Sequence, residues 1–434
     1  MKPKGLLIAV GVLAVLGGLT WWSNKKQASA SKSTDTTVKI LSMPTDQIQE
    51  IRLKNPAQTI DLKKENGKWQ ILQPEALPAD PEPVGGMITT LSALNADSVV
   101  ADKASDLTPF GLKTPTLDVE VIKKDGKSDQ LLIGDDTPTG SGSYAKLAND
   151  PRIFTIATFT KTSLDKPVND LRDKRLLTFD SDKLTRVELA AKGAPVEFGK
   201  NNQNEWQILK PGPLRADGSQ VDTLISNLKG ATMDLSEDEK TAAAAFGSGT
   251  KSATATVTDA SGNQTLEVRK KGETYYAKSS AVSGVFKVAG DTGKNLDKSL
   301  DDFRNKKLFD FGFSDPSYMM VQGVAYTRNG DKWMSGAKTM DNTSVQNLID
   351  KLRDWTATKF AETGGGSAVF EAAVTSNGGK RIEKVTVTQQ GNQYFAKREN
   401  ESGIYVLDSQ TVDDIQKAAS GVKEAAAPAP AKKK

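Results

Sequence analysis

The sequence predicts an α+β chain: three tandem modules of antiparallel strands, each with a central amphipathic helix, behind one N-terminal transmembrane helix. Three observations carry this. The run Trp69-Gln70-Ile71-Leu72-Gln73-Pro74 returns as Trp206-Gln207-Ile208-Leu209-Lys210-Pro211, with a weaker echo at Trp333, and internal repetition sets architecture before any other feature does. Period-two alternation surrounds each tryptophan. Between the alternating stretches lies one segment per copy whose apolar residues fall at i, i+3, i+4 and i+7, the stripe of a helix with one buried face.

From the N-terminus, Lys2 and Lys4 precede residues 5–22, which carry no charge. At about 1.5 Å per residue in a helix this run reaches roughly the thickness of a hydrocarbon core. Trp21-Trp22 suits the interface, and Lys25-Lys26 closes the span. Residues 1–24 therefore read as a transmembrane anchor. A cleavable signal segment is the rival, because Ala28-Ser29-Ala30 has the small-x-small form of a cleavage site. No cysteine follows, which excludes a lipid-anchored lipoprotein. Lysines flank the run on both sides, so charge alone does not orient it. Residues 25–43 read as a flexible Ser/Lys/Thr linker.

The first module is placed at 44–179, the second at 180–312 and a shorter, capping third at 313–421. Ile51 and Leu53, then Ile60 and Leu62, alternate with polar residues up to Asn66-Gly67. Asn-Gly tolerates positive φ at both positions and signals a hairpin. Asn329-Gly330 precedes Trp333 in the same way, and Asp125-Gly126 turns a hairpin between 117–123 and 128–133. The helix stripes are Val84, Met87, Ile88, Leu91; Val221, Leu224, Ile225, Leu228; and Val345, Leu348, Ile349, Leu352. Asp80, Asp217 and Asp341 each stand four positions before the first valine, where a carboxylate caps free backbone N–H groups. The final hairpins share a frame, with Tyr144-Ala145-Lys146, Tyr276-Ala277-Lys278 and Phe395-Ala396-Lys397 each followed by an aromatic eight residues after the lysine.

Leu171-Arg172-Asp173-Lys174-Arg175-Leu176 and Phe303-Arg304-Asn305-Lys306-Lys307-Leu308 follow the first two modules, whereas the third has Lys423 in an Ala-rich run. This reads as a helical connector with solvated or paired basic residues. Gly364-Gly365-Gly366-Ser367 replaces the longer stretches that hold Phe110-Gly111 and Phe246-Gly247. Residues 422–434 read as a disordered Ala/Pro/Lys tail.

The chemical inventory excludes more than it offers. The chain has no histidine and no cysteine, which removes thiol nucleophiles, His-based triads and imidazole or thiolate zinc sites. No GxxxxGK[ST] loop is present, and Gly140-Ser141-Gly142-Ser143 reads as a turn. Asp135-Asp136 falls in a turn-like stretch, and Asp234, Glu237, Asp238 and Glu239 lack the alternation of a calcium loop. The four lysines before residue 31 and the three after 431 exceed the whole net charge of +4, so the basic balance points to no nucleic acid. No catalytic, cofactor-binding or metal residue is assigned. The tryptophans read as core plugs, the alternative being a row of stacking platforms.

Phe110-Gly111-Leu112-Lys113-Thr114-Pro115, Leu131-Leu132-Ile133-Gly134, Ser143-Tyr144-Ala145-Lys146 and Arg152-Ile153-Phe154 resemble the signature of the bacterial domain-of-unknown-function family numbered 4340. The resemblance covers the first module well, the second in part and the third faintly. It implies an N-terminal membrane segment, repeated modules and company with ABC-type transporter components, and it transfers no active-site residue. The expectation is a non-enzymatic accessory or scaffold protein of the bacterial inner membrane, single pass, with its modules facing the periplasm or cell exterior. A glycan- or lipid-binding envelope module and a carboxylate-based hydrolase are the alternatives. No cofactor is expected, and the expected partners are the membrane, crossed once, and ABC-type transporter subunits or other envelope proteins.

Overall fold

The computed structural model describes residues 38–313 and 316–426. Three antiparallel sheets of nine, eight and nine strands dominate it. In the first, the order runs Leu77–Pro78, Lys68–Gln73, Thr59–Glu65, Ile48–Lys54, Leu117–Lys123, Ser128–Asp136, Gly142–Leu147, Ile153–Ala157 and Ser98–Ala101. The second and third sheets repeat this order, the second without a counterpart of Ser98–Ala101. By chain contacts the protein forms two compact units, the first ending at Lys174 and the second, holding the second and third sheets, beginning at Arg175.

The expectation of an α+β chain behind a transmembrane helix is corrected on two counts. First, the fold is mostly antiparallel sheet, and the strands before and after each helix belong to the same sheet. Ile51 pairs with Val121, Val187 with Val257 and Met319 with Val374, so each module closes into one continuous sheet. The helix crosses one face of that sheet, accompanied by shorter helices such as Thr158–Leu164 and Gly290–Leu296. Second, among the described residues no helix is long and apolar enough to cross a membrane. The uncharged run 5–22 lies outside the described residues.

The helices Pro81–Ser92, Gly218–Lys229 and Asn342–Arg353 bury the stripes read from the sequence, all four residues in the second and third copies and Val84, Met87 and Leu91 in the first. Each such side chain contributes about 1.5–3 kcal/mol of apolar burial. The aspartates cap as expected. Asp80 accepts from the Glu82 N–H, Asp217 from those of Ser219 and Gln220, and Asp341 from that of Ser344. Asn66 and Gly67 take φ of +50° and +81° in the first hairpin, and Gln73-Pro74 and Lys210-Pro211 are cis.

The connectors differ from expectation. One helical turn, Val168–Leu171 or Leu300–Phe303, is followed by extended chain. That chain satisfies the helix cap from behind: the Asp80 N–H donates to Leu171 O and the Asp217 N–H to Phe303 O, both at 2.7 Å. In the third copy the Asp341 N–H donates to Lys423 O at 2.8 Å. The backbone clamp is thus kept where the basic motif is lost. The chain then enters the next sheet's core, where Leu176 and Leu177, or Leu308 and Phe309, are fully buried. Lys39-Ile40-Leu41 enters the first module in the same way, with the Ile40 N–H on Leu94 O as those of Leu176 and Leu308 lie on Ala231 O and Trp355 O.

Candidate functional site

The densest set of buried charge lies where the second and third modules meet inside the second unit. Arg215, on the short edge strand Leu214–Arg215, stands where the first module has Pro78. Its guanidinium pairs with Asp310, donates to Tyr405 Oη at 3.0 Å and meets Glu401 Oε1 at 2.9 Å. The Tyr405 hydroxyl donates in turn to Glu401 Oε2 at 2.8 Å. Arg398 donates to Glu401 at 2.7 Å and to Glu383 at 3.0 Å, and also reaches Leu308 O. Glu383 accepts the Asp310 backbone N–H at 2.9 Å. Arg381 closes the set by donating to Asp310 O at 2.7 Å and pairing with Glu205. Arg304 of the preceding connector lies 3.4 Å over the Phe360 ring.

Electrostatics follow from this geometry. Burial by itself would lower the Arg215 pKa, but Asp310, Tyr405 and Glu401 outweigh it and the net shift is upward. Burial pushes the Glu383 carboxyl above its ordinary range, with Arg398 opposing. Burial likewise raises the Tyr405 phenol. The cleft beside these groups, about 740 Å³, is lined by Trp206, Gln207 and Asn377 as well as the ions. Its carboxylates are occupied by guanidinium, amide and indole donors. Its chemistry is therefore that of a rigid clamp between modules, since breaking such a buried pair costs far more than an exposed one.

The residues weighed from sequence lie elsewhere, and Asp136, Asp234 and Asp238 among them have structural partners. Asp136 accepts from Ser143 Oγ at 2.7 Å and Lys161 Nζ at 2.9 Å, and these, Ser143 first, hold its carboxyl below the usual range. Asp234 accepts the Ser236 N–H and pairs with Lys287 at 3.2 Å. Asp238 caps the helix Glu239–Ser248. Gly140 takes φ of +68° in a turn. Among the described residues no group of three or more acidic side chains is placed to hold a metal ion. The tryptophans do not form an exposed row: Trp206 and Trp333 are buried, Trp69 packs against its module's core, and Trp206 Nε1 donates to Asp222 at 3.0 Å.

The motif Phe110-Gly111 docks onto a bulge in the sheet. Thr116 Oγ1 donates to Ile133 O and Gly134 O at 3.1 and 2.9 Å. The Phe110 ring meets Tyr144 edge-on with centroids 5.1 Å apart. A Cβ on Gly134 would lie 2.1 Å from Phe110 O, so only glycine fits that contact.

The sequence reading of solvated or paired charge covers the connector motifs alone and does not reach Arg215, Glu383 or Arg398. The signal was available in the repeat alignment, where Arg398 and Glu383 replace the neutral Ser279 and Gln264. Those neutral residues do the same work in the second module: Ser279 Oγ donates to Leu176 O, and Gln264 Oε1 accepts the Thr178 N–H at 2.8 Å.

The architecture is that of a tandem-repeat protein built from antiparallel sheets, with backbone clamps repeated at each module. The family profile described as "Domain of unknown function (DUF4340)" matches residues 69–207 and 206–373. The chain belongs to this family. Both matched units begin at a Trp strand and include a connector, so they are offset from the folded modules; the first ends in the next Trp strand and the second runs on into the strand Ser367–Ser376. No curated protein and no solved structure matches the chain.

Proposed function

We propose that the protein is a non-enzymatic accessory or scaffold component of the bacterial envelope, with its modules outside the cytoplasm, working beside an ABC-type transporter. The observation that supports a scaffold is the junction of the second and third modules, where Arg215, Asp310, Glu383, Arg398 and Glu401 are spent on one another. Groups committed in this way hold surfaces in fixed relation and leave no proton donor or nucleophile turned toward a substrate. Placement at the envelope rests on the uncharged run 5–22 with its flanking lysines.

In-cell crosslinking followed by affinity capture from solubilised membranes tests this reading, with a variant lacking residues 1–30 as control. Recovery of transporter subunits that is lost in the control is the expected result. Recovery of envelope polysaccharide or lipid with no protein partner would overturn it.

A further inference from the structure

The chain enters the first module between two hairpin tips that carry lysine. Lys39 bridges to Asn95 and the Met43 N–H donates to Ser92 O, which places residues 38–43 at the C-terminal end of the helix Pro81–Ser92. The strand Ile48–Lys54 that follows pairs on one side with Thr59–Glu65 and on the other with Leu117–Lys123. At its start the Gln49 side-chain amide donates to Lys64 O at 2.6 Å, and the Lys124 N–H donates to Gln47 O at 2.9 Å. The tips at Asn66-Gly67 and Asp125-Gly126 therefore flank the incoming chain at one end of the module. Lys39, Lys68, Lys124 and Lys127 are exposed there, and Lys64 and Lys123 are half-buried.

Carboxylates answer only part of this charge. Lys123 pairs with Asp129 at 2.9 Å, Lys127 with Asp125 at 3.5 Å and Lys124 with Asp46 at 3.6 Å. Lys39, Lys64 and Lys68 have no ion-pair partner among the described residues. In the second module the corresponding tips, residues 201–204 and 260–261, contain neither lysine nor arginine. The fold thus does not require a basic end, and the first module carries one on the side from which residues 5–22 approach. Fully extended, the chain between residue 22 and Val38 reaches at most about 50 Å, so any surface that holds the uncharged run lies within reach of these lysines.

We propose that this end of the first module rests on an anionic lipid surface, with its unpaired lysines against the phosphate groups of the lipid heads. Lysines close to such a surface are attracted individually, and the attraction falls off within a Debye length. The contact would fix which end of the module faces the membrane. The assignment rests on the envelope placement proposed above and adds the chemistry of the surface that the module meets.

Acetylation footprinting of the full chain in lipid nanodiscs, read residue by residue by mass spectrometry, tests this with discs of phosphatidylcholine alone or mixed with phosphatidylglycerol. Lys39, Lys64 and Lys68 should react at least about fivefold more slowly in the anionic discs, the factor that matches the attraction of one lysine to such a surface. Lys54, which ends the strand Ile48–Lys54, and Lys113, which precedes the strand Leu117–Lys123, lie at the opposite end of the sheet and should react alike in both discs. High salt should abolish the difference at Lys39, Lys64 and Lys68. The double variant Lys68→Glu, Lys127→Glu alters only exposed side chains, and in it the slowing at Lys39 should be lost. Chain recovered with both discs but with equal rates in the two overturns the proposal and leaves the envelope placement standing. Slowing by soluble polyphosphate in phosphatidylcholine discs, with none from phosphatidylglycerol, would reassign the face to a soluble polyanion and also overturn it. Recovery of the chain with neither disc overturns the envelope placement, and the lipid face with it.

Discussion

The backbone N–H of Asp310 donates to the carboxylate of Glu383 at 2.9 Å, tying the chain's entry into the third module to the middle of that module's sheet. Burial raises the Glu383 pKa above its ordinary 4.5, with Arg398 only partly compensating. The folded chain therefore binds this proton more tightly than the unfolded chain. The stabilising contribution is full below pH 4.5 and is lost as pH rises through the raised folded value. Glu383→Gln removes this titration and keeps an acceptor for the Asp310 N–H. Thermal melts of both proteins between pH 4 and 7 should show the parent gaining stability relative to Glu383→Gln as pH falls. A difference independent of pH would contradict the assignment.

Arg215 couples the second module to the third, with its side chain only 16% exposed between Asp310 and Glu401. Arg215→Ala removes one of the two guanidinium groups that Asp310 and Glu401 share and leaves Arg398 as the other, a change that costs up to about 3–5 kcal/mol for a buried pair. The expected outcome in guanidinium denaturation is a split transition, the second and third modules unfolding separately where the parent unfolds them together. Lys183→Ala is the control, since that lysine forms a well-exposed pair with Asp180 and such pairs contribute little.

What could be read from the sequence was whatever repeats at short range. The stripes of Val221, Leu224, Ile225 and Leu228 and their counterparts needed only a 3.6-residue period, and the Asp caps and the Asn66-Gly67 turn needed only local backbone chemistry. The closure of each module into one sheet depends on pairs such as Ile51 with Val121, which share no local signal because a helix and several strands separate them. The entry segments were missed for a related reason. Lys39-Ile40-Leu41, Arg175-Leu176-Leu177 and Lys307-Leu308-Phe309 form one repeated element, but three residues are too short to show a period. Arg398 and Glu383 stand out in the repeat alignment against neutral Ser279 and Gln264, but their meeting with Arg215 is not legible there, because the three lie on different strands.

Gly134 and Gly85 should respond to alanine with opposite signs. At Gly134 a Cβ would sit 2.1 Å from the Phe110 carbonyl oxygen, so Gly134→Ala must push the Phe110-Gly111 turn off the sheet, at about 1–3 kcal/mol for overpacking. Gly85 lies within the helix Pro81–Ser92 with nothing inside 4 Å of a new Cβ. Alanine there should stabilise by about 0.5–1 kcal/mol, through helix propensity alone. Urea titration of the two variants checks both signs.

The helix caps offer a graded comparison. Asp217 accepts from two backbone N–H groups, at 3.0 Å from Ser219 and 3.4 Å from Gln220, whereas Asp80 accepts only from Glu82 at 3.0 Å. The Ser219 N–H depends on this carboxylate, while the Gln220 N–H is shared between it and the Asp217 main-chain oxygen at 3.1 Å, so removing the side chain strands the Ser219 donor and weakens the hold on Gln220. The helix that begins at Pro81 also starts with a residue that has no N–H to satisfy. Asp217→Ala should therefore cost about 1–2 kcal/mol and Asp80→Ala nearer 0.5 kcal/mol, within the range for lost caps. Amide hydrogen exchange separates this from a general loss of stability: protection should fall first at Ser219 and Gln220 and leave the far end of the helix, at Leu228, unchanged. Equal losses along the whole helix would show that these aspartates act through the connector behind them and not through the cap.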